Sequence, residues 1–133
     1  MSEDNKAVVR RLYEAWNSGD FVTMEQLMSD DFIEHEPLPG MDGSKAAVVA
    51  FFKATSAAFG GFTIKPDMVL GDGDLVSALA TATGTHHGEF MGVPATGRKI
   101  TIAVADYMRV KDGKVTEHWG IMDAASLMQQ LTR

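Results

Sequence analysis

The sequence contains no cysteine, which rules out a disulfide framework and any thiol chemistry and fits a reducing, cytoplasmic setting. Positive charge is in the minority. Twelve Lys and Arg against 18 Asp and Glu leave a net charge of −6, whereas nucleic acid and anionic membrane surfaces both select for a basic patch. Neither is expected as a partner. No apolar run approaches the ~18 residues of a membrane span, and the polar opening Met1-Ser2-Glu3-Asp4-Asn5-Lys6 lacks the apolar stretch of a signal peptide. Histidine is sparse, with four in the chain. The adjacent pair His86-His87 would point to opposite sides of a strand and could not share one metal ion. Neither metal nor cofactor is expected. What is present is 133 residues that are 45% hydrophobic, enough for one real core, so a single domain over residues 1–133 is expected.

Apolar periodicity predicts an α+β order. Residues 2–17 read as a helix capped by Ser2, acidic in its first turn, with Val8, Leu12, Ala15 and Trp16 on one stripe. Asn17-Ser18-Gly19-Asp20 stops it and starts a short second helix through Phe21, Met24, Leu27 and Met28. An extended piece over 29–37 ends at a proline-rich turn. A third helix is predicted over 44–59, with Val48, Phe51, Phe52 and Thr55 inward, then strands over 62–71, 75–86, 98–110 and 114–122. A short helix over 124–131 closes the chain. The pairs Gly60-Gly61 and Gly71-Asp72-Gly73 read as turns rather than phosphate loops. Helices ahead of an antiparallel meander imply helices packed on one face of a curved sheet.

The final hairpin, 100–122 with its turn at Lys111-Asp112-Gly113, carries the chemistry. A two-residue loop would set Asp106 opposite Trp119 and drop Glu117 among Met108 and Val110. A three-residue loop with Gly113 in a left-handed bulge sets Asp106 opposite His118. Alternation favours the latter. It puts Ile102, Val104, Met108 and Val110 on one face with Thr116, Gly120 and Met122, and leaves Tyr107, Arg109, Glu117, Trp119 and Ile121 on the other. An acid and a histidine then meet on an apolar surface, where a charged carboxylate must be paired or protonated. The inward apolar residues would line a ligand cavity, and Gly120 with Ala78, Ala80 and Ala82 would leave it room. The outer aromatic face calls for covering, so a homodimer through Trp119 is expected. The segment 87–97 is too apolar for a fully solvated loop, so Phe90 and Met91 are expected to cap the cavity or a neighbouring subunit.

Four stretches, YEAWNSGD at 13–20, DFIEHEPLPG at 31–40, GTHHGEFMGVPATGR at 84–98 and VKDGKVTEHWG at 110–120, resemble the SnoaL-like polyketide cyclases (ester cyclases). These belong to the cone-shaped superfamily that includes nuclear transport factor 2 and ketosteroid isomerase. The resemblance implies the cone-shaped nuclear transport factor 2-like α+β fold. It aligns Asp106 with the aspartic acid that ketosteroid isomerases keep protonated as an oxyanion donor, at a position where the cyclases carry histidine. His118 falls on the family's strand histidine, Glu36 on the isomerase base, and His35 on the residue usual in ester cyclases. Two departures stand out. The cyclase base, two residues after the strand histidine, is Gly120 here. The isomerase tyrosine position is Leu12, with Tyr13 ~100° round the helix.

These features point to a small-molecule acid–base enzyme. It would use Asp106, His118 and one of Glu36 and His35 for cofactor-free proton transfer or aldol-type cyclisation on a hydrophobic keto-ester or polyketide-like compound. Tyr13, Trp16, Phe52, Phe90, Met91, Val104, Met108, Gly120 and Met122 would form the binding wall. The competing expectation, supported by the two departures, is a non-catalytic dimeric module that binds apolar small molecules. An open cavity around Asp106 favours ligand binding or catalysis, and a closed, side-chain-filled cone favours a scaffold.

Overall fold

The computed structural model describes residues 2–37 and 40–132. The expected Ser2 cap and the Leu38-Pro39 part of the proline-rich turn lie outside what it describes. Helix α1 (Ser2–Ser18) is followed by α2 (Phe21–Gln26), strand β1 (Met28–Glu34) and α3 (Lys45–Ala58). Strands β2 (Phe59–Asp72), β3 (Leu75–His86), β4 (Lys99–Lys111) and β5 (Lys114–Met122) follow, and α4 (Ala124–Thr132) ends the chain.

The starts of α2 and α3 have a clear local cause. Asp20 caps α2 by accepting from the Thr23 N–H, and Ser44 caps α3 by accepting from Ala47 N–H. The Gly60-Gly61 pair is not a turn ahead of β2, as the sequence predicted, but lies within the first residues of the strand. Gly61 takes a φ of +63° and the register with β3 shifts between Gly60 and Thr63, so the pair makes a bulge that bends a longer strand. No helix among the described residues is long and apolar enough to cross a membrane.

The five strands form one sheet in the order β1-β5-β4-β3-β2. The extended piece read from sequence is therefore a fifth strand, and it runs parallel to β5, with Glu34 beside His118. The other neighbours are antiparallel. Alternation sends Val76, Ala78, Ala80 and Ala82 of β3 and Ile100, Ile102, Met108 and Val110 of β4 inward, where all are buried. Helices α1 and α3 cover that inner face.

The outer face carries exposed apolar side chains. Two cross-strand rows, Met68–Leu79–Ala105–Ile121 and Leu70–Ser77–Tyr107–Trp119, run straight across four strands. Met68, Leu70, Leu79, Tyr107 and Ile121 are exposed along them.

The β4–β5 hairpin corrects both registers considered from sequence. Lys111 pairs with Lys114 around a two-residue turn in which Asp112 and Gly113 have φ of +52° and +76°, as a twisted hairpin prefers. Val110 then pairs with Val115, but Arg109 pairs with Glu117. Thr116 is the extra residue of a bulge. Val115, not Thr116, takes the inward place and is fully buried. Asp106 consequently lies opposite Gly120, and His118 opposite Met108. The alternation argument was right that Glu117 could not sit among Met108 and Val110. The chain satisfies it with a bulge one step beyond the turn rather than with a longer turn.

Candidate functional site

Asp106 is the one acid in the buried row of β4, only 6% exposed. Although its direct partner is Gly120, its carboxylate meets His118 on the diagonal, with His118 Nε2 2.8 Å from Asp106 Oδ1. The other oxygen, Oδ2, accepts from the Tyr13 hydroxyl at 2.5 Å. The second ring nitrogen of His118, Nδ1, lies 2.5 Å from Glu34 Oε1. Glu34 Oε2 in turn accepts from the Glu36 backbone N–H at 3.1 Å. Four side chains from α1, β4, β5 and β1 thus form one chain of hydrogen bonds, Tyr13–Asp106–His118–Glu34.

The electrostatics follow from this geometry. Burial opposes a charged imidazole at His118. The hydrogen bonds that the ring donates to Asp106 and Glu34, with the negative charge of both carboxylates, outweigh it, and the pKa rises from 6.5 to about 9. At neutral pH the ring is an imidazolium that donates from both nitrogens to two carboxylates. The Tyr13 phenol is held protonated far above its usual range, by burial first and then by the charge and hydrogen bond of Asp106. Asp106 is therefore a carboxylate that accepts from a cation on one oxygen and a phenol on the other.

This network forms one polar patch on an otherwise apolar cavity of about 160 Å³. Of the residues expected in its wall, Tyr13, Trp16, Phe52, Phe90, Val104, Met108, Gly120 and Met122 are there. Trp16 packs between Phe52 and Phe62, with ring centroids 4.3 and 4.9 Å away. Phe90 is brought in by the tight turn Phe90–Val93 and rests on Phe51 and Phe59. Met91 is not in the wall: at φ +50° it turns outward and is 46% exposed. The room expected from small residues is also only partly realised. Ala82 reaches the cavity, but Ala78 and Ala80 do not line it, and α1 packs against their strand.

His35 is a correction. Strand alternation turns it to the outer face, where it stacks on Trp119 with centroids 4.5 Å apart and lies 3.6 Å from Glu117 Oε1. Glu117 also binds Arg109, which binds Asp74. Glu36 lies exposed on the rim of the cavity and contributes its backbone N–H to the network. The acid that reaches the histidine is Glu34, which was not among the site residues drawn from the sequence. Alternation from a fixed inward Phe32 would have selected it. The Tyr13 hydroxyl was likewise missed. Leu12 and Tyr13 are both buried and both line the cavity, because α1 lies over the sheet with a face broad enough to span that ~100° step. His86 is buried, with Nδ1 accepting from the Thr96 N–H at 3.3 Å, and His87 is exposed.

The family model of the SnoaL-like polyketide cyclases matches residues 6–131. Aklanonic acid methyl ester cyclase DnrD of Streptomyces peucetius is 31% identical over 131 residues, spanning 93% of this chain and 88% of that protein. The crystal structure of IdmH from Streptomyces antibioticus, a candidate polyketide cyclase, superposes with a TM-score of 0.84 at 33% identity, covering 97% of this chain and 99% of the other. AclR of Streptomyces galilaeus, a candidate hydroxylase, superposes with a TM-score of 0.87 at 28% identity, covering 98% and 97%.

Proposed function

The chain belongs to the SnoaL-like polyketide cyclase family, and from that membership we propose that it is a cofactor-free acid–base enzyme acting on a hydrophobic keto-ester or polyketide-like compound. The observation that carries this reading is the buried Asp106 carboxylate, held between the Tyr13 hydroxyl and the His118 imidazolium on the wall of an apolar cavity. A carboxylate uses two of its roughly four acceptor positions in those bonds. The remaining lone pairs are free to take a proton from a carbon flanked by two carbonyls.

The steps balance without an outside reagent. Asp106 removes the α-proton, and the electron pair moves onto the carbonyl oxygen as an enolate. Once Asp106 is neutral, the Tyr13 O–H loses its anionic acceptor and can turn to the new oxyanion. The enolate carbon then attacks a second carbonyl of the same molecule and forms the carbon–carbon bond. The resulting alkoxide recovers the proton from Asp106. His118 holds Asp106 in place and keeps its charge compensated, and Glu34 holds His118. Space of about 160 Å³ suits one six-membered ring, since an engineered apolar cavity of ~150 Å³ takes up benzene. A larger substrate would place its reacting ring inside and extend past Glu36 and Pro37. The outer sheet face would be shared with a second copy, in a cytoplasmic homodimer.

The test is α-proton exchange, followed by NMR in D2O on hydrophobic β-keto-esters, which needs no knowledge of the final product. The wild type accelerates exchange, and Asp106→Asn, which keeps the shape but cannot accept the proton, loses the acceleration while remaining folded. Exchange at the wild-type rate in Asp106→Asn would reduce Asp106 to a structural residue. No acceleration by the wild type would favour the non-catalytic binding module.

A further inference from the structure

Gly120 sits in the interior of β5, where glycine is a poor choice: it adds chain entropy to the unfolded state and packs nothing. Its backbone does not explain it, because Gly120 is absent from the glycines with positive φ, so any L-residue could adopt its conformation. Space does explain it. A Cβ built on Gly120 would lie 2.4 Å from His118 Cε1, 3.0 Å from His118 Nε2 and 3.2 Å from Asp106 Oδ1.

The register shows why the ring occupies that space. Residues 118 and 120 point to the same face of β5, and Asp106 is opposite Gly120 rather than opposite His118. To reach Asp106, the imidazole must lean along the strand and cross the place where a side chain at 120 would begin. The ring is held there from both sides, by Glu34 on Nδ1 and by Asp106 on Nε2, so it cannot swing away without breaking a buried charge pair.

We propose that Gly120 is a positioning residue whose missing side chain is the space through which His118 reaches Asp106, so that the His118–Asp106 pair and any side chain at position 120 exclude one another. The proposal rests on the acid–base reading of this site for its functional meaning, but its geometry stands without it.

The test is a double-mutant cycle on the full chain with Gly120→Ala, His118→Ala and the double variant, read by thermal unfolding. Alanine is ordinarily the better residue in a strand, so the sign of its effect is informative. Gly120→Ala should lower the melting temperature by several degrees in the wild type, and leave it unchanged or raise it once the His118 ring is gone. Equal changes in both backgrounds would overturn the proposal. If Gly120→Ala does not fold alone, a folded double variant supports the proposal, and failure of the double variant where His118→Ala folds overturns it.

A second readout is the His118 ring titration by NMR in folded Gly120→Ala. A midpoint moved from about 9 toward the value of a free histidine, ~6.5, supports the proposal, and an unmoved midpoint overturns it. Failure here is distinct from failure of the enzymatic reading. Additive unfolding changes alongside an inactive Asp106→Asn would sink only the role of Gly120. A coupled cycle in a protein that never accelerates exchange would sink only the enzyme.

Discussion

Asp106 and Tyr13 show most clearly how a single side chain is decided by its surroundings. A lone acid in the apolar row of β4 announces itself in sequence, because a buried carboxylate must find donors. The donors were less legible. His118 was the expected partner, and it is one, but it arrives diagonally, across a register that the bulge at Thr116 displaced. Tyr13 was expected only as part of a ligand wall, since helical spacing alone placed its hydroxyl away from the site. The Tyr13 hydroxyl is nonetheless the donor to Asp106 Oδ2 at 2.5 Å, with the residue 3% exposed. Removing one hydrogen bond to a buried charged group costs ~1.5–3 kcal/mol. Tyr13→Phe is therefore expected to lose stability in that range in urea unfolding, with little change of shape. A loss near zero would mean that the hydroxyl is not the donor on which Asp106 depends.

Among the elements, those set by local pattern were readable and those set by distant pairing were not. Strands β3 and β5 begin and end where alternation and the flanking turns put them, at Leu75–His86 and Lys114–Met122. The parallel pairing of β1 with β5 joins segments some 84 residues apart, Glu34 to His118, and nothing local signals it. That pairing is what makes Glu34, rather than Glu36 or His35, the second carboxylate of the site. Helix α3 supplies Phe51 and Phe52 to the cavity, and its first turn depends on Ser44 Oγ accepting from the Ala47 N–H at 3.2 Å. Loss of such a cap costs ~1 kcal/mol. Ser44→Ala should therefore lower stability by about that amount and loosen hydrophobic ligand binding in the same preparation. Unchanged unfolding would show that the cap is satisfied by another group.

At the scale of the whole molecule, one sheet serves two purposes. Its concave face carries the proton network, and its outer face carries the two apolar rows across β2, β3, β4 and β5. The aromatic outer face was legible from the alternation of Tyr107, Trp119 and Ile121, but its continuation onto Met68, Leu70 and Leu79 needed the full strand order. Leu79, 44% exposed near the centre of the belt, is a cleaner probe than Trp119, which is stacked on His35. In the proposed homodimer through this belt a charge at position 79 would be buried and unpaired, so the wild type is expected to sediment as a dimer and Leu79→Glu as a monomer at the same concentration. A monomeric wild type, or an unaffected dimer, would place any interface elsewhere.

The account turns on Tyr13, Asp106, His118 and Glu34 acting as one charged unit across four elements, and the protonation of His118 reports on that unit directly. NMR of the imidazole ring across pH is the measurement. Because the folded pKa is raised, the ion pairs contribute their full stability below the unfolded value of ~6.5 and lose it as pH rises through about 9. The account predicts a ring protonated on both nitrogens at neutral pH, with a midpoint near 9 that falls in both Asp106→Asn and Glu34→Gln. A neutral ring at pH 7.5, titrating near ~6.5 like a free histidine, would contradict it.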